Sequence, residues 1–436
     1  MGLSSVDEIQ HYPNYKPSGV TWLGDIPEHW DLTRLGTRFE ERRTKVSDKD
    51  YPALSVTKNG TVPQLANAAK TNDGDNRKLV KKGDFVINSR SDRKGSSGIA
   101  YQDGSVSLIN IVMEPLDIHP IYCNYLLKSY NFIEEFYRMG HGIVADLWTT
   151  RYDEMKAIMV GIPPLQEQTA IAQFLDNKTT KIDDAIAIKQ QQINLLKERK
   201  QILIHKAVTR GVGSSSGVEM KDSGVEWIGK IPEHWEVKPI KYLGNIVNGY
   251  AFNSGEFKDE GVRVMKISNI QTMRIDWTDE SFIDDKYYQS LPQYRINEND
   301  LVFALTRPII STGIKASIVD TDEKILLNQR NAVLKPFKKL FKKWIYFVIL
   351  DTLFTQSFDR EIDKTGQQPN ISTSSIGNIK IPFPCLEEQK EISAYIETAS
   401  QKIDTAIGLK QQEIEKLKEY KSSLINSVVT GKVKVC

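Results

Sequence analysis

A chain of 436 residues, 40% hydrophobic and 26% charged, is long enough for two or three domains and has the composition of an ordinary globular protein. A formal net charge of +2 leaves bulk charge uninformative about nucleic acid. No apolar run approaches the roughly 20 residues needed to cross a bilayer; the best, Trp344 to Leu350, is short and follows Lys342 and Lys343. Three scattered cysteines, Cys123, Cys385 and Cys436, give neither a disulfide framework nor a metal knuckle, and with no signal-peptide pattern at the start they point to a reducing cytoplasm.

In chain order, residues 1–15 read as a polar arm. Ser18-Gly19-Val20-Thr21-Trp22-Leu23-Gly24-Asp25-Ile26-Pro27-Glu28-His29-Trp30 follows, too rich in glycine and proline for a regular helix or central strand. Its tryptophans and isoleucine would anchor a turn-rich segment on another surface. Residues 1–36 form this arm and anchor. Residues 37–161 form a first block with β-type runs (Leu54-Ser55-Val56, Phe85-Val86-Ile87, Ile109-Asn110-Ile111-Val112) separated by turn signals at Asn59-Gly60, Asn72-Asp73-Gly74, Lys82-Gly83-Asp84 and Asp103-Gly104. A helix is expected from about Pro120 to Met139.

From Gln166 to Val208 no proline or glycine occurs over 43 residues, and Ile182, Ile186, Ile193, Leu196, Leu203 and Ala207 recur at steps of four and three once Lys189 and Lys200 fill the gaps between them. That is a heptad seam requiring a partner helix, a rod of roughly 65 Å at 1.5 Å per residue. Residues 162–220 hold this helix and a linker with Ser214-Ser215-Ser216-Gly217. Residues 221–244 repeat the anchor: Ser223 to Trp235 matches Ser18 to Trp30 at ten of thirteen positions. Residues 245–380 form a second block, in which Leu301-Val302-Phe303-Ala304 follows Asp300 as Phe85-Val86-Ile87 follows Asp84. Ser89-Arg90 and Thr306-Arg307 come at nearly the same distance, and a helix at about Phe341 to Ile362 parallels the first block's. Residues 381–436 repeat the rod at a shift of 221, with 14 identities in the 23 positions from Ile182 and Ile403, the seam lysines recurring as Lys410 and Lys421. Gly408 is tolerable in a long helix at about 1 kcal/mol. The order is anchor, block, rod, twice. Two related rods in one chain can pack antiparallel and make a pseudo-two-fold molecule.

Catalytic signatures are missing. Gly224 to Lys230 begins like a phosphate loop, but Ile231 and Pro232 stand where a hydroxyl and a helix are needed. Gly213 to Gly217 matches a nucleophile elbow only in spelling, inside a polar linker. His29 and His234 lack a recurring catalytic partner and read as packing residues. Groups suited to nucleic acid lie in both blocks. Between Asp31 and Lys94 fifteen Lys/Arg face nine Asp/Glu. The first block offers Arg42, Arg43, Lys45, Lys58, Asn59, Asn88, Ser89, Arg90, Arg93, Lys94, Trp148, Thr149 and Arg151. The second offers Tyr250, Lys266, Asn269, Thr306, Arg307, Gln329, Arg330, Lys364, Gln367, Gln368 and Asn370. Arg and Lys neutralise phosphates; Arg, Asn and Gln can read base edges. These readings leave a stand-alone two-domain DNA-binding protein as an alternative.

With both repeats laid out, the chain resembles the specificity subunit of type I restriction-modification systems. The resemblance rests on the two anchors, on Ile162-Pro163-Pro164-Leu165-x-Glu167-Gln168 and Ile381-Pro382-x-Pro384-x-Leu386-Glu387-Glu388-Gln389, and on Gly366-Gln367-Gln368-Pro369-Asn370-Ile371-Ser372. The first block departs from the last motif, having Gly140-His141-Gly142-Ile143-Val144. The resemblance implies an α+β protein with two mixed α/β target recognition domains separated by two long antiparallel coiled-coil helices in a pseudo-two-fold, circular arrangement. It implies that each domain reads half of a bipartite double-stranded DNA target. The helices would dock two methyltransferase subunits through Ile182, Ile186, Ile193, Leu196, Leu203, Ile403, Ile407, Ile414, Leu417 and Leu424. It implies no catalysis, metal or cofactor on this chain: S-adenosylmethionine belongs to the methyltransferase, ATP and magnesium to restriction subunits.

Overall fold

Leu165–Arg210 and Leu386–Val429 are single helices of 46 and 44 residues. Around them the chain divides into two compact units, Met1–Gln190 with Gln411–Cys436, and Gln191–Lys410. Each unit thus takes the entry of one long helix and the exit of the other. The computed structural model describes residues 10–66, 74–142, 148–213, 219–337 and 341–435; Asn72-Asp73, Ile143-Val144, the Ser214–Gly217 linker, Cys436 and most of the arm lie outside them.

Within each unit the helices run antiparallel, and the seam lysines show how. In the first unit Lys421 Nζ lies 2.7 Å from Asp183 and Lys189 Nζ 2.5 Å from Glu413. In the second, Lys200 Nζ lies 2.7 Å from Asp404. Lys200 and Lys421 are repeat equivalents, as are Asp183 and Asp404, so the same cross-helix pair is made once in each unit. Ile182 and Ile414 of the first unit, and Ile193 and Ile403 of the second, are buried.

The motif that opens each helix is a double clamp. Glu167 accepts hydrogen bonds from Trp30 Nε1 (2.9 Å) and Tyr12 Oη (2.5 Å) and faces His29 Nε2 at 2.8 Å. Glu388 accepts from Trp235 Nε1 (3.0 Å) and the Cys385 amide (3.2 Å) and faces His234 Nε2 at 2.9 Å. The glutamine one residue later is buried and works in the opposite direction. Gln168 accepts from the His119 amide and donates to Pro163 O; Gln389 accepts from the Phe341 amide and donates to Pro384 O. One residue pair therefore holds both the anchor and the start of each block's own helix. His29 and His234 are half-exposed and each pairs with its clamp carboxylate, a recurring acid partner that the sequence reading did not anticipate.

The far end of the other long helix closes on the same tryptophan. Gly431 and Gly211 adopt left-handed φ of +74° and +81° just past the helices' C-terminal ends, where a side chain is disfavoured. A Cβ on Gly431 would lie 2.3 Å from Pro27 Cδ and 3.2 Å from Trp30 Cη2, whereas one on Gly211 would lie 3.4 Å from Trp235 Cζ2. Trp30 and Trp235 are both fully buried, Trp235 packing edge-on to Trp344 at 6.1 Å.

Each block is closed at its base by a four-residue antiparallel ladder, Asp31–Arg34 with Met159–Ile162 and Glu236–Pro239 with Lys380–Phe383. Above the first, Ser97–Ile99, Phe85–Asn88, Asn110–Pro115 and Phe39–Glu41 form a sheet in that order, beside a sheet of Gly104–Val106, Arg77–Val80 and Lys45–Val46 and the hairpin Leu54–Thr57/Gly60–Pro63. Above the second, Gly244–Asn248, Asn331–Pro336, Leu301–Ala304 and Ala316–Ile318 form the matching sheet. The added sheet there is mixed, with Val262–Met265 parallel to Ile325–Leu327.

The single helix expected in each block is broken in two. Pro120–Lys128 ends at Ser129, whose side chain caps Tyr130–Arg138 through the Phe132 amide. Lys342–Ile349 likewise gives way to Thr352–Arg360, capped by Asp351. Asp351, fully buried, also meets His205 Nδ1 of the long helix at 2.8 Å.

Two outcomes are expected. Burial would push the Glu388 carboxyl up, but its hydrogen bonds from Trp235, His234 and Cys385 outweigh that and hold it below its ordinary 4.5. A depressed carboxyl stabilises the fold above that value, and the contribution disappears as pH falls through the folded-state value. Denaturant titrations should show the second unit losing stability below about pH 4.5, and Glu388→Gln should flatten that loss. Gly431→Ala should destabilise by about 1–3 kcal/mol more than Gly211→Ala, since both meet the same left-handed strain but only the first collides with backbone-bound Pro27. Equal melting shifts would refute the close approach.

Candidate nucleic-acid interface

The first block's sheet ends in loops that meet at one groove of about 560 Å³. It gathers Arg43, Lys45, Ser89, Arg90, Thr149 and Arg151 of the residues nominated from sequence, and adds Glu41, Lys78, Leu108, Ile109 and Asn110. The floor is backbone hydrogen bonding: Thr150 N–H donates to Ser89 O, Ser91 N–H to Trp148 O, and Thr149 exchanges two bonds with His141. Lys45, Arg90 and Arg151 form no ion pair among the described residues, whereas Arg43 Nε lies 2.6 Å from Glu41.

Other nominated residues of this block work inside it. Arg42 makes a two-pronged bond to the buried Asp84 and reaches Glu114 at 2.9 Å, and these contacts raise the guanidinium's already high pKa. Asn88 is buried, its Oδ1 accepting from the Arg90 amide. Lys94 pairs with Glu134 and covers the Tyr137 ring, Arg93 lies beside Asp92, and Trp148 donates to Tyr137 O. Lys58 and Asn59 are exposed at the tip of the Thr57–Gly60 turn, away from the groove lining.

The second block has a groove of about 460 Å³ that gathers Lys266, Gln329 and Arg330 with Phe252, Phe257, Ser268, Asp279 and Asn328. Lys266 pairs with Asp279. Asn269 is fully buried and braces the loop by accepting from the Lys266 amide and donating to Asp276 O and Asp279 O. Tyr250 packs edge-on to Phe252 and tilted against Tyr294, and Lys364 pairs with Asp359. Gln367 and Asn370 are exposed, while Gln368 is half-buried with its carbonyl accepting from Asn370 Nδ2.

The two blocks share a loop plan bond for bond. Ile371 N–H donates to Leu305 O, Arg307 N–H to Pro369 O, and Asn370 exchanges two bonds with Asp363, repeating the Thr150, Ser91 and Thr149 pattern. Thr149 therefore corresponds to Asn370, and Arg90 to Thr306. The pairing of Arg90 with Arg307 suggested by spacing is off by one residue, and Arg307 matches Ser91. Arg307 is exposed, forms no ion pair among the described residues, and sits at φ +47° before Pro308. A non-glycine residue there is strained, a condition that persists when surrounding structure enforces it.

A second shared turn precedes each long sheet strand. Asn110 N–H donates to Ser107 O and Ser89 N–H to Ile109 O; Asn331 N–H donates to Asn328 O and Leu305 N–H to Arg330 O. Leu108 and Ile109 thus occupy the places of Gln329 and Arg330. Ranking by charge and hydrogen-bonding capacity passed over Leu108. The available signal was Asn110-Ile111-Val112 against Asn331-Ala332-Val333, which lies at the same shift of 221 as the rods.

The residues nominated for partner docking face inward. Ile182, Ile193, Ile403 and Ile414 are buried, and Ile186, Leu196, Leu203, Ile407, Leu417 and Leu424 are half-buried, because the heptad seam closes on itself. Besides Leu165 at its first residue, the first long helix leaves Ile188, Leu195 and Ile202 in solvent, seven residues apart. Among the described residues no cluster of His, Cys, Asp or Glu could hold a metal, and no helix is long and apolar enough to cross a membrane.

A family model described as the type I restriction modification DNA specificity domain matches twice, over residues 27–198 and 232–419. The MjaVIII specificity subunit of Methanocaldococcus jannaschii is 30% identical over 94% of this chain and 94% of its own length. The EcoAI specificity subunit of Escherichia coli is 32% identical over 37% of this chain and 28% of its own. Among solved structures, a chain described under complex assembly and conformational transition of the type I R-M system superposes with a TM-score of 0.69 at 14% identity, covering 93% of this chain and 98% of that one. The HsdS subunit from Thermoanaerobacter tengcongensis superposes at 0.54 and 15% identity, covering 94% and 98%. The chain belongs to the type I restriction-modification DNA specificity family: it is a specificity subunit with two tandem recognition domains, and its role is DNA sequence specificity.

Proposed function

We propose that residues 37–161 and 245–380 each read one half of a bipartite double-stranded DNA target. The long helices set the spacing and dock two methyltransferase subunits, and restriction subunits join that complex in the cytoplasm. The chain itself catalyses nothing; S-adenosylmethionine is bound by the methyltransferase, and ATP with magnesium by the restriction subunits. The observation that carries this reading is the loop plan built twice with different side chains: Arg90, Thr149, Leu108 and Ile109 in one block, Thr306, Asn370, Gln329 and Arg330 in the other. A constant framework with exchanged tips is what two readers of different sequences require. Lys45, Arg90, Arg151 and Arg307, without ion pairs among the described residues, can meet phosphates or guanine edges. The exposed Ile188, Leu195 and Ile202 offer the methyltransferase an apolar stripe on the first long helix.

Three outcomes are expected. Arg307→Ala should change one half of the methylated motif, read by methylation-site mapping in cells, and leave the other half intact; equal relaxation of both halves would count against separate readers. Ile188→Asp with Leu195→Asp should leave the chain folded but abolish co-purification of the methyltransferase, and retained co-purification would move the docking surface elsewhere. Arg42→Ala should lower stability by about 3 kcal/mol, because it strands the buried Asp84 carboxylate, without shifting the motif.

A further inference from the structure

Leu108 and Ile109 are 41% and 36% exposed, adjacent, and held on a turn whose carbonyls are engaged at Ser107 and Ile109. Single exposed aliphatics are ordinary on protein surfaces. These two differ in three respects. They line a groove with Lys45, Arg90 and Arg151, none of which forms an ion pair among the described residues. Their positions are fixed by the same hydrogen bonds that fix Gln329 and Arg330 in the other block. And a flexible polar pair would be the default at a solvated turn, as the second block illustrates.

The cations choose the occupant. A groove whose rim offers unpaired positive charge and whose turn offers two aliphatic side chains suits a polyanion with an apolar spot. In the major groove of duplex DNA the one apolar group on a base edge is the C5-methyl of thymine. We infer that the Leu108–Ile109 turn reads a thymine methyl in the half-site of the first recognition domain, and that the equivalent Gln329–Arg330 turn reads a hydrogen-bonding edge in the second. This rests on the proposed reading of one half-site per domain. Arg90 and Lys45 would hold the backbone while the aliphatic pair packs on the methyl, so the contact discriminates sequence without a hydrogen bond.

Uracil lacks only that methyl. The test uses the chain in complex with its own methyltransferase, on duplexes carrying its mapped motif, with the first half-site identified as the one the Arg307 variant leaves unchanged. Replacing thymines in that half one at a time by uracil should weaken binding at one position by about fourfold to tenfold, the size expected for removing a buried methyl. The L108A/I109A variant should bind thymine and uracil duplexes alike. Leu108→Gln with Ile109→Arg should change the methylated motif at that same position and nowhere in the other half. Binding that is sequence-specific yet unaffected by uracil at every position, or a first half-site with no A·T pair, overturns this inference alone. Binding with no sequence preference at all would overturn the half-site reading beneath it as well.

Discussion

Two buried tryptophans hold this molecule to its plan. Trp30 donates its indole N–H to Glu167 at the entry of the first long helix and lies under Gly431 at the exit of the second; Trp235 does the same with Glu388 and Gly211. Each indole therefore ties one helix's beginning to the other's end, which is why residues 411–436 belong with the first unit. A carboxylate accepting an indole N–H in a water-poor site is costly to leave without its partner, so the contact is hard to replace piecemeal. The ladders Asp31–Arg34 with Met159–Ile162 and Glu236–Pro239 with Lys380–Phe383 lie directly beside these clamps and pin both ends of each block.

A block pinned at both ends can change its contents. The main-chain bonds at Ser89, Thr149 and Ile109 recur at Leu305, Asn370 and Arg330, while the side chains those bonds present are different. Backbone hydrogen bonds are indifferent to side-chain identity, so the framework survives exchange of its tips. That separation lets a DNA specificity subunit diverge in what it reads while conserving what it is built on. The second block even adds a mixed sheet around Val262–Met265 without disturbing the shared loops.

The rods and anchors were legible in the sequence because identity over 23 positions and a sustained heptad are long signals. Their antiparallel pairing followed from the same seam, and of the lysines that interrupt it Lys200 and Lys421 meet aspartates and Lys189 a glutamate on the facing helix. The breaks at Ser129 and Asp351 were not legible, since a capping residue inside a continuing apolar pattern looks like a helix position. Among the cations, Arg42, Lys94 and Lys364 could not be told from Arg90 and Arg307. Their neutralising partners Asp84, Glu134 and Asp359 are chosen by tertiary contact, not by spacing. The offset between Arg90 and Arg307 is one residue, below what spacing from an aspartate resolves. Leu108 was not legible as a contact residue, because an aliphatic side chain has neither charge nor hydrogen-bonding capacity to mark it.

On this plan the frame is constant and each block is a replaceable reader. Exchanging the block between the second ladder's strands, residues 240–379, for residues 35–158 tests it most directly, with methylation-site mapping of the complex as the readout. The expected result is a folded hybrid whose methylated motif carries versions of a single half-site in both halves. A motif that keeps both original halves, or a folded hybrid with no sequence preference, would contradict it.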